Sequence, residues 1–513
     1  MEYTFKSRGR KKIIIEKKIS RETIIEVLME AVGIHQQNVQ DCNYLINYFK
    51  GEQDILNRQS IDAGYNEKIN NKTVLNFAWS SVRDIVGYTF GTKTQYNATT
   101  GSYRKDIEEI SRILNYEGNS LADHEANTYA SICGFGYLCV LPSRELMSDY
   151  MPDIPLVDMS LDPRTTFTVH SARIGNPTTM SVTYYTDEEN TYFTCYTDDR
   201  IYLITCRGNM ALTIGSDVKI VEMVNPVGLN PITMVQNNAF LMGDFEVAIS
   251  CLNAINQLSS DTLNDVENVI KSLLVVINAE LNEETVTKVK KNRILELVGG
   301  DQNNKVPDAK FIYQQLDALG IQNIREYLEE AYKQIIGIPD RKTRGGGGGD
   351  TGDAVKLRDG WADLEIVARI KEQYFKIAKI KQLAVAVVIL KKLNLINKDF
   401  KVRYLEIKVP RNKIDNLQTK AQAFSTINGT KTLHPADALE MVDITTDVDA
   451  KVDRGIKYWE EQAEKAAELK EKEAEKQMQQ QQKNQYNTDL KETNVIKDNI
   501  KVEKKATKRE RVH

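Results

Sequence analysis

The sequence predicts an α+β chain, predominantly helical, with a β-rich region set among long helices. Three observations carry this. Apolar residues recur every three or four positions through much of 20–124 and again from 244 onward, the period of a buried helix face. Between Gly134 and Val235 the composition shifts to short runs of β-branched and aromatic residues, several separated by turn formers. Beyond Glu460 the chain is Glu, Lys, Gln and Ala with few large apolar residues, which predicts a solvated helix and then disorder.

In chain order, residues 1–19 form a basic arm carrying Lys6, Arg8, Arg10, Lys11 and Lys12, read equally well as solvated or as touching nucleic acid. Ser20 predicts an N-cap, with Ile24, Val27, Leu28 and Val32 on one face of the helix behind it. A second helical patch covers Gln40 to Phe49 and breaks at Lys50-Gly51. Lys72 to Val86 repeats the helical spacing, with Gly87 and Gly91 at its end. Gly101 to His124 is helical again. Strands are predicted at Tyr137–Leu141, Thr166–His170, Met180–Tyr185, Thr191–Tyr196 and Ile201–Cys206, with turns at Thr197-Asp198-Asp199 and Gly215-Ser216-Asp217.

Past Gly243, Asp244 predicts an N-cap and Glu246 a favourable charge at a helix N-terminus. That helix should end before Leu273–Ile277, a β-branched run that favours a strand. Glu280 to Tyr313 reads as a small insert with strands at Arg293–Val298 and Lys310–Tyr313. A helix follows from Ile321 to Ile336, stopped by Gly337-Ile338-Pro339. Arg341 to Gly352 contains five consecutive glycines, and the longest helix is expected from Asp353 to Leu393. Lys401 to Val409 alternates like a strand, and Thr419 to Tyr458 reads as helical pieces with a turn at Asn428-Gly429.

Composition narrows the function. The 513 residues carry 68 basic and 72 acidic side chains, a net charge of −4. A protein that grips nucleic acid by neutralising phosphates usually carries a basic excess, so any nucleic-acid partner should pass without sticking. Cys42, Cys133, Cys139, Cys195, Cys206 and Cys251 show no metal-binding spacing and fit small buried apolar groups in a reducing compartment. The longest apolar stretch, Leu383 to Leu390, is far too short to span a bilayer. A soluble intracellular protein without membrane contact is expected.

The search for chemistry returns no catalytic residues, metal site or cofactor. Gly347, Gly349 and Gly352 satisfy G-x-G-x-x-G, but a helix rather than a strand precedes them, and no Gly-Lys-Ser/Thr follows. The run reads instead as a flexible interhelical loop. His124-Glu125 is not completed to H-E-x-x-H, because Thr128 holds the last position.

Four stretches, in order, resemble the phage portal family, specifically the type found in siphoviruses of Gram-positive hosts. They are Tyr48-Phe49-Lys50-Gly51-Glu52-Gln53-Asp54-Ile55-Leu56; Asn70 to Ala78 running through Gly87-Tyr88-Thr89-Phe90-Gly91; Asn237-Asn238 with Gly243-Asp244-Phe245-Glu246, Asn256, Ser259-Ser260 and Asn264-Asp265; and Ile336-Gly337-Ile338-Pro339-Asp340 followed, after the glycines, by Gly352-Asp353-Ala354. Each alone is weak, but their order and spacing over residues 20–458 are hard to obtain by chance.

The resemblance implies a portal fold with wing, stem, clip and crown, the subunits arranged in a ring. The wing would be 20–243, the first stem helix 244–271, the clip 272–317 and the returning stem helix 318–340. A tunnel loop at 341–352, a long helix and wing strand at 353–418, crown helices at 419–472 and a charged tail at 473–513 complete the plan. The tunnel loop would present Arg341, Lys342, Arg344, Gly345, Gly346, Gly347, Gly348, Gly349 and Asp350 to DNA. Glu326, Glu329 and Glu330 are candidates for an acidic tunnel lining, and Arg293, Glu296, Asp301 and Lys310 for clip contacts.

The implied function is a channel at one capsid vertex of the virion, assembled in the host cytoplasm, through which the genome is packaged and ejected. Implied partners are eleven further copies in a ring of twelve, double-stranded DNA without sequence specificity, the terminase large subunit, a head-completion adaptor, and the major capsid and scaffolding proteins. The five-glycine loop and the long basic arm depart from the family pattern. Two rivals stand beside this reading. A non-viral structural oligomer or coiled-coil scaffold requires an apolar heptad seam, and an enzyme requires a deep pocket in the β-rich region around Cys133 to Cys206.

Overall fold

The computed structural model describes residues 5–59, 69–99, 103–143, 154–208, 218–270, 273–277, 308–312, 317–339, 361–412, 417–429, 435–442 and 448–509. The chain divides into two units, Met1–Lys413 and Ile414–His513.

In the first unit, β1 (Ile13–Ile14) leads into α1 (Ile24–Lys50), α2 (Phe77–Phe90), β2 (Gln95–Ala98), α3 (Arg104–Leu114) and α4 (Ala122–Cys133). Then come β3 (Phe135–Pro142), β4 (Leu156–Leu161), β5 (Thr166–His170), β6 (Thr178–Thr186), β7 (Asn190–Tyr196), β8 (Arg200–Arg207), β9 (Val218–Val224) and β10 (Ile232–Gln236). Helix α5 (Ile249–Ile270), strands β11 (Leu273–Ile277) and β12 (Asp308–Ile312), helices α6 (Ala318–Ile336) and α7 (Trp361–Lys392), and β13 (Leu405–Lys408) complete it.

A six-stranded sheet has the order β1-β5-β6-β7-β8-β9, parallel only at β1–β5. Its alternation puts Phe167, Val169, Met180, Val182, Phe193, Cys195, Tyr202, Ile204 and Cys206 into one apolar cluster. The first half of α1 covers that face with Ile24, Val27, Leu28, Ala31 and Val32. The second half, with Cys42, Leu45, Ile46 and Tyr48, enters a larger core shared with α2, α4, α5, α7 and the three-stranded sheet β10-β3-β4. One helix thus ties two cores together.

That helix corrects the sequence reading, which gave two patches and a start at Ser20. Helix α1 is continuous from Ile24, with Thr23 at its N-cap. The apolar stripe fades in the middle because His35, Asn38 and Asp41 are buried there as satisfied polar groups. The backbone N–H of Lys11 donates to Asn38 Oδ1 at 2.9 Å, and Asn38 Nδ2 donates back to Lys11 O at 2.8 Å. Those partners are on the N-terminal arm. The arm is therefore not a solvated tail: Ile13 and Ile15 are buried in the sheet core, and Arg10 is 5% exposed.

Helix α2 starts five residues later than the spacing predicts, at Phe77, capped by Asn76 Oδ1 accepting from Trp79 N at 3.1 Å. It runs on through Gly87 to Phe90. The predicted strand cores at 137–141, 166–170, 180–185, 191–196 and 201–206 are all strands, and Thr197 closes the β7–β8 hairpin by bonding Arg200. Gly215-Ser216-Asp217 lies outside the described residues.

In the second unit, α8 (Leu417–Gly429), α9 (Pro435–Val442) and α10 (Val448–Arg509) follow one another. Helix α10, at 62 residues, is the longest in the chain, and the disorder predicted beyond 473 is replaced by helix. No Gly or Pro stands between Ile456 and Arg509, and opposite charges fall one turn apart, as at Glu468 and Lys472. High intrinsic propensity sustains a helix there without a core. Among the described residues, no helix is long and apolar enough to cross a membrane.

Two buried histidines give the first unit an acid sensitivity. His35 is paired with Arg164 O at 3.1 Å; His170 is held between Thr168 Oγ1 and Asn176 O, each at 3.0 Å. Burial pulls each pKa down to about 4. The fold favours the neutral rings, so their stabilisation is complete above about pH 6.5 and is lost as pH falls from there towards 4. For His35 the full shift corresponds to roughly 3 kcal/mol. The thermal midpoint is expected to drop steadily from pH 6.5 to 4, and His35→Gln should flatten that slope; an unchanged slope in the variant would refute the assignment.

Candidate functional site: the root and flanks of a helical hairpin

Within the first unit, helix α5, the hairpin of antiparallel strands β11 and β12, and helix α6 follow one another as a helix–hairpin–helix excursion of the chain. The hairpin is antiparallel in register from Leu273↔Ile312 to Ile277↔Asp308. The two helices pack on each other, with the Cys251 thiol donating to Leu328 O at 3.3 Å.

At the root of α5 stand Gly243, Asp244, Phe245 and Glu246. The sequence reading makes Asp244 an N-cap and Glu246 a dipole partner. The structure corrects the first: Phe245, not Asp244, is the N-cap of a short 3-10 turn at Glu246–Ala248 that leads into α5 at Ile249. Glu246 does stand in that first turn, and both carboxylates also serve buried ion pairs. Lys371 of α7 pairs with Asp244 at 2.8 Å and donates to Ser131 Oγ at 2.8 Å and to Asn237 Oδ1. Asn237 Nδ2 donates to Asp244 Oδ1 and Met242 O, both at 2.8 Å. Glu246 accepts from Gly243 N at 2.9 Å and pairs with Arg10. Phe245 is fully buried, stacked on Tyr48 with ring centroids 5.9 Å apart. A Cβ on Gly243 would lie 2.2 Å from Ile132 O, so this chain crossing admits only glycine.

Along α5, a second device fixes the flank. The segment Asn71–Leu75 lies against it, its alternate backbone N–H groups served by α5 side chains one turn apart. Asn71 N donates to Asn264 Oδ1 at 2.8 Å, Thr73 N to Ser260 Oγ at 2.9 Å, and Leu75 N to Asn256 Oδ1 at 2.8 Å. Four helical residues advance about 6 Å and two extended residues about 6.6 Å, so the two ladders stay in register. Gln53 and Tyr48 complete the contact, Gln53 Oε1 accepting from Asn256 and the Tyr48 hydroxyl donating to Asn253 Oδ1 at 2.9 Å. Three of the four stretches singled out in the sequence therefore converge on one helix. The described part of the fourth, at Gly337-Ile338-Pro339, ends α6: Gly337 takes a left-handed φ of 71°, and Ile338 N donates to Lys333 O at 3.0 Å.

The three glutamates of α6 do not share a face. Glu329 is buried and paired with Arg325 at 2.9 Å, whereas Glu330 is exposed and Glu326, half-buried, accepts from Gln322. At 3.6 residues per turn, Glu326 and Glu330 lie one above the other on one edge, Glu330 exposed and Glu326 at the rim of the cleft with α5. A separate exposed edge carries Ile324, Tyr327 and Ile335, at 54%, 69% and 54% exposure. Between α5 and α6 a cleft of about 550 Å³ is lined by Leu75, Leu258, Leu263, Ile321, Arg325 and Glu326.

Helix α7 departs from a simple amphipathic helix on both faces, although Leu364, Phe375, Leu383 and Leu390 are buried as periodicity expects. Lys371, Lys379 and Gln382 are buried, while Ile366, Ile370, Ile377 and Ile380 stand outside at about half exposure. Arg341, Lys342, Arg344, Gly345–Gly349 and Asp350 lie outside the described residues, as do Arg293, Glu296 and Asp301. Lys310 stands in β12 opposite Val275. Sequence reasoning missed Arg10 and Lys371, whose only trace is a basic residue whose burial depends on a distant carboxylate.

A model of the family described as phage portal protein, SPP1 Gp6-like, matches residues 31–482. No curated protein gives a significant match. Similar solved structures include the neck of an empty GTA particle computed with C6 symmetry, at 12% identity, TM-score 0.42, covering 72% of this chain and 90% of that one. The neck of a native GTA particle computed with C12 symmetry is similar at 12% identity and TM-score 0.40, covering 72% and 89%.

Proposed function

We propose, for a chain that belongs to the SPP1 Gp6-like family of phage portal proteins, that it is one subunit of a closed ring, of twelve copies, whose axial channel carries double-stranded DNA into and out of the capsid. A portal or head–tail connector role in the virion follows from the family itself. The ring, the channel and its partners are the finer reading.

The single observation that carries this reading is the apolar surface that α6 and α7 leave exposed among the described residues. Isolated chains rarely leave seven large apolar side chains in two helical stripes about half exposed or more. In a ring, those edges would be covered by the next copy, each copy giving one flank and receiving the other. The edge bearing Glu326 and Glu330 then faces the channel. Carboxylates there repel phosphate, and a wall that binds few phosphates lets the duplex slide, because each neutralised phosphate adds affinity. Glu329 has no part in that lining, since its carboxylate is spent on Arg325.

The tunnel loop at 341–352 joins α6 to α7 and would reach the DNA from the glycine run. The clip, residues 272–317 with β11 and β12 in it, would dock the terminase motor during filling and a head-completion adaptor afterwards, with Lys310 on its described strand β12.

Negative-stain images of the purified chain should show rings with an axial hole of duplex width. The double variant Ile366→Glu/Ile377→Glu should keep the circular dichroism of the parent, because both positions are already exposed, yet sediment as monomer. A parent that stays monomeric, or rings that survive both glutamates, would sink the assembly as drawn.

A further inference from the structure

The N-terminal arm does more than add a strand. It runs as one segment over three elements and ends on the root of α5. Ile13 and Ile14 pair in parallel with Val169 and His170 of β5. Lys11 is bonded by its backbone, in both directions, to Asn38 of α1. Arg10 then turns inward with a fully buried side chain, paired with Glu246 and, at 3.6 Å, with Asp41.

The backbone is held as firmly as the side chain. Arg10 N donates to Leu241 O at 3.1 Å, and Leu241 itself holds a left-handed φ of 54°, a strained state for a branched residue that survives only where its surroundings fix it. Gly9 has a φ of 73°, and a Cβ there would lie 2.0 Å from Phe240 O. Its N–H also donates to Glu246 Oε1 at 3.3 Å, and the Ser7 hydroxyl to Glu246 O at 3.2 Å. Leu241 and Gly243, in the segment that leads into the root turn, together with Glu246, are thus held by the arm or by the glutamate it pairs with.

We infer that residues 7–16 are a strap that sets the position of the first turn of α5, with Arg10 as its positioning residue. The strap lies outside the family match, which begins at residue 31. Its logic is electrostatic. Glu246 has a fully buried carboxylate, and Arg10 is the cation described beside it. Withdrawing Arg10 leaves that carboxylate with backbone donors alone, so the turn must open to water to solvate it. The β5–β9 sheet and the α1 face on it lose only an edge pairing. The strap therefore governs how firmly the helical excursion is rooted, and leaves the rest of the unit in place. This does not depend on ring formation, so either claim can fail alone.

Hydrogen exchange on the full-length chain tests it. Arg10→Met should speed exchange of amides 243–255 at least tenfold, with β6, β7 and β8 unchanged. Adding Glu246→Met, which removes the charge stranded at the root while Asp41 keeps Arg8 at 3.8 Å, should restore most of the protection, an outcome that loss of the arm's packing alone would not give. Should Arg10→Met yield no folded protein, Arg10→Lys keeps the charge without the two-pronged head and should show the same local pattern at smaller amplitude. Unchanged exchange at 243–255, acceleration spread evenly into β6–β8, or no rescue by the paired methionines would each overturn the strap.

Discussion

Replacing Lys379 with methionine is expected to cost about 3–5 kcal/mol, the range for stripping the counter-ion from a buried ion pair. Lys379 is 1% exposed and reaches from α7 to two carboxylates, Asp123 at the start of α4 at 2.6 Å and Asp158 in β4 at 3.5 Å. Burial alone pulls its ammonium down, but Asp123, the Tyr96 hydroxyl and Asp158 outweigh it and hold Lys379 protonated far above neutral pH. Asp158 is itself raised by burial against the pull of Lys379, and Gln382 donates to it. The thermal midpoint should fall on the order of 5 °C. Since an orphaned carboxylate escapes its penalty by taking a proton, the loss should be larger at pH 8 than at pH 6. Adding Asp158→Leu should recover much of it. A Lys379→Met midpoint within a degree of the parent at both pH values would show that the pair does not hold α7 against the sheet.

Gly134→Ala is the second large effect. Gly134 ends α4 at a φ of 91°, and its N–H donates to Ala130 O at 2.8 Å. An alanine Cβ would sit 2.0 Å from Leu241 O and 2.2 Å from Leu241 C, both backbone atoms that no rotamer can move aside. The left-handed conformation alone costs roughly 1–2 kcal/mol, and displacing the 238–243 segment adds more, for a total of about 4 kcal/mol or greater. Gly87→Ala is the matched control. It lies within α2 with nothing within 4 Å of the new methyl, and should stabilise by about 0.5–1 kcal/mol. Urea midpoints of the two variants should move in opposite directions, and equal shifts would refute the crossing at Gly134.

How much of this was legible follows from where the information sits. The strand cores at 166–170 and 191–196 could be read because alternation and β-branching are local, as could the stop of α5 before Leu273. The middle of α1 could not, since His35, Asn38 and Asp41 look like solvent-facing residues until their partners on the arm and at Arg164 are known. Helix α7 hid part of its faces in the same way: two lysines and a glutamine lie inward beside Leu364, Phe375 and Leu383, and four isoleucines lie outward, which periodicity alone does not assign. For the tail, composition argued disorder, but helix propensity alone favours helix there.

The sequence by itself determined the five strand cores between 137 and 206, the order of helix, short strands and helix between 249 and 336, and the family, because each rests on local periodicity or on motif order along the chain. Only the tertiary structure decided that Asp244 and Glu246 are buried ion partners rather than caps, that Glu329 is spent on Arg325, and that a basic arm is the strap at the root. Each of those depends on which opposite charge lies within a few ångströms in a low-dielectric interior. That is a property of three-dimensional neighbours, and no spacing along the chain encodes it.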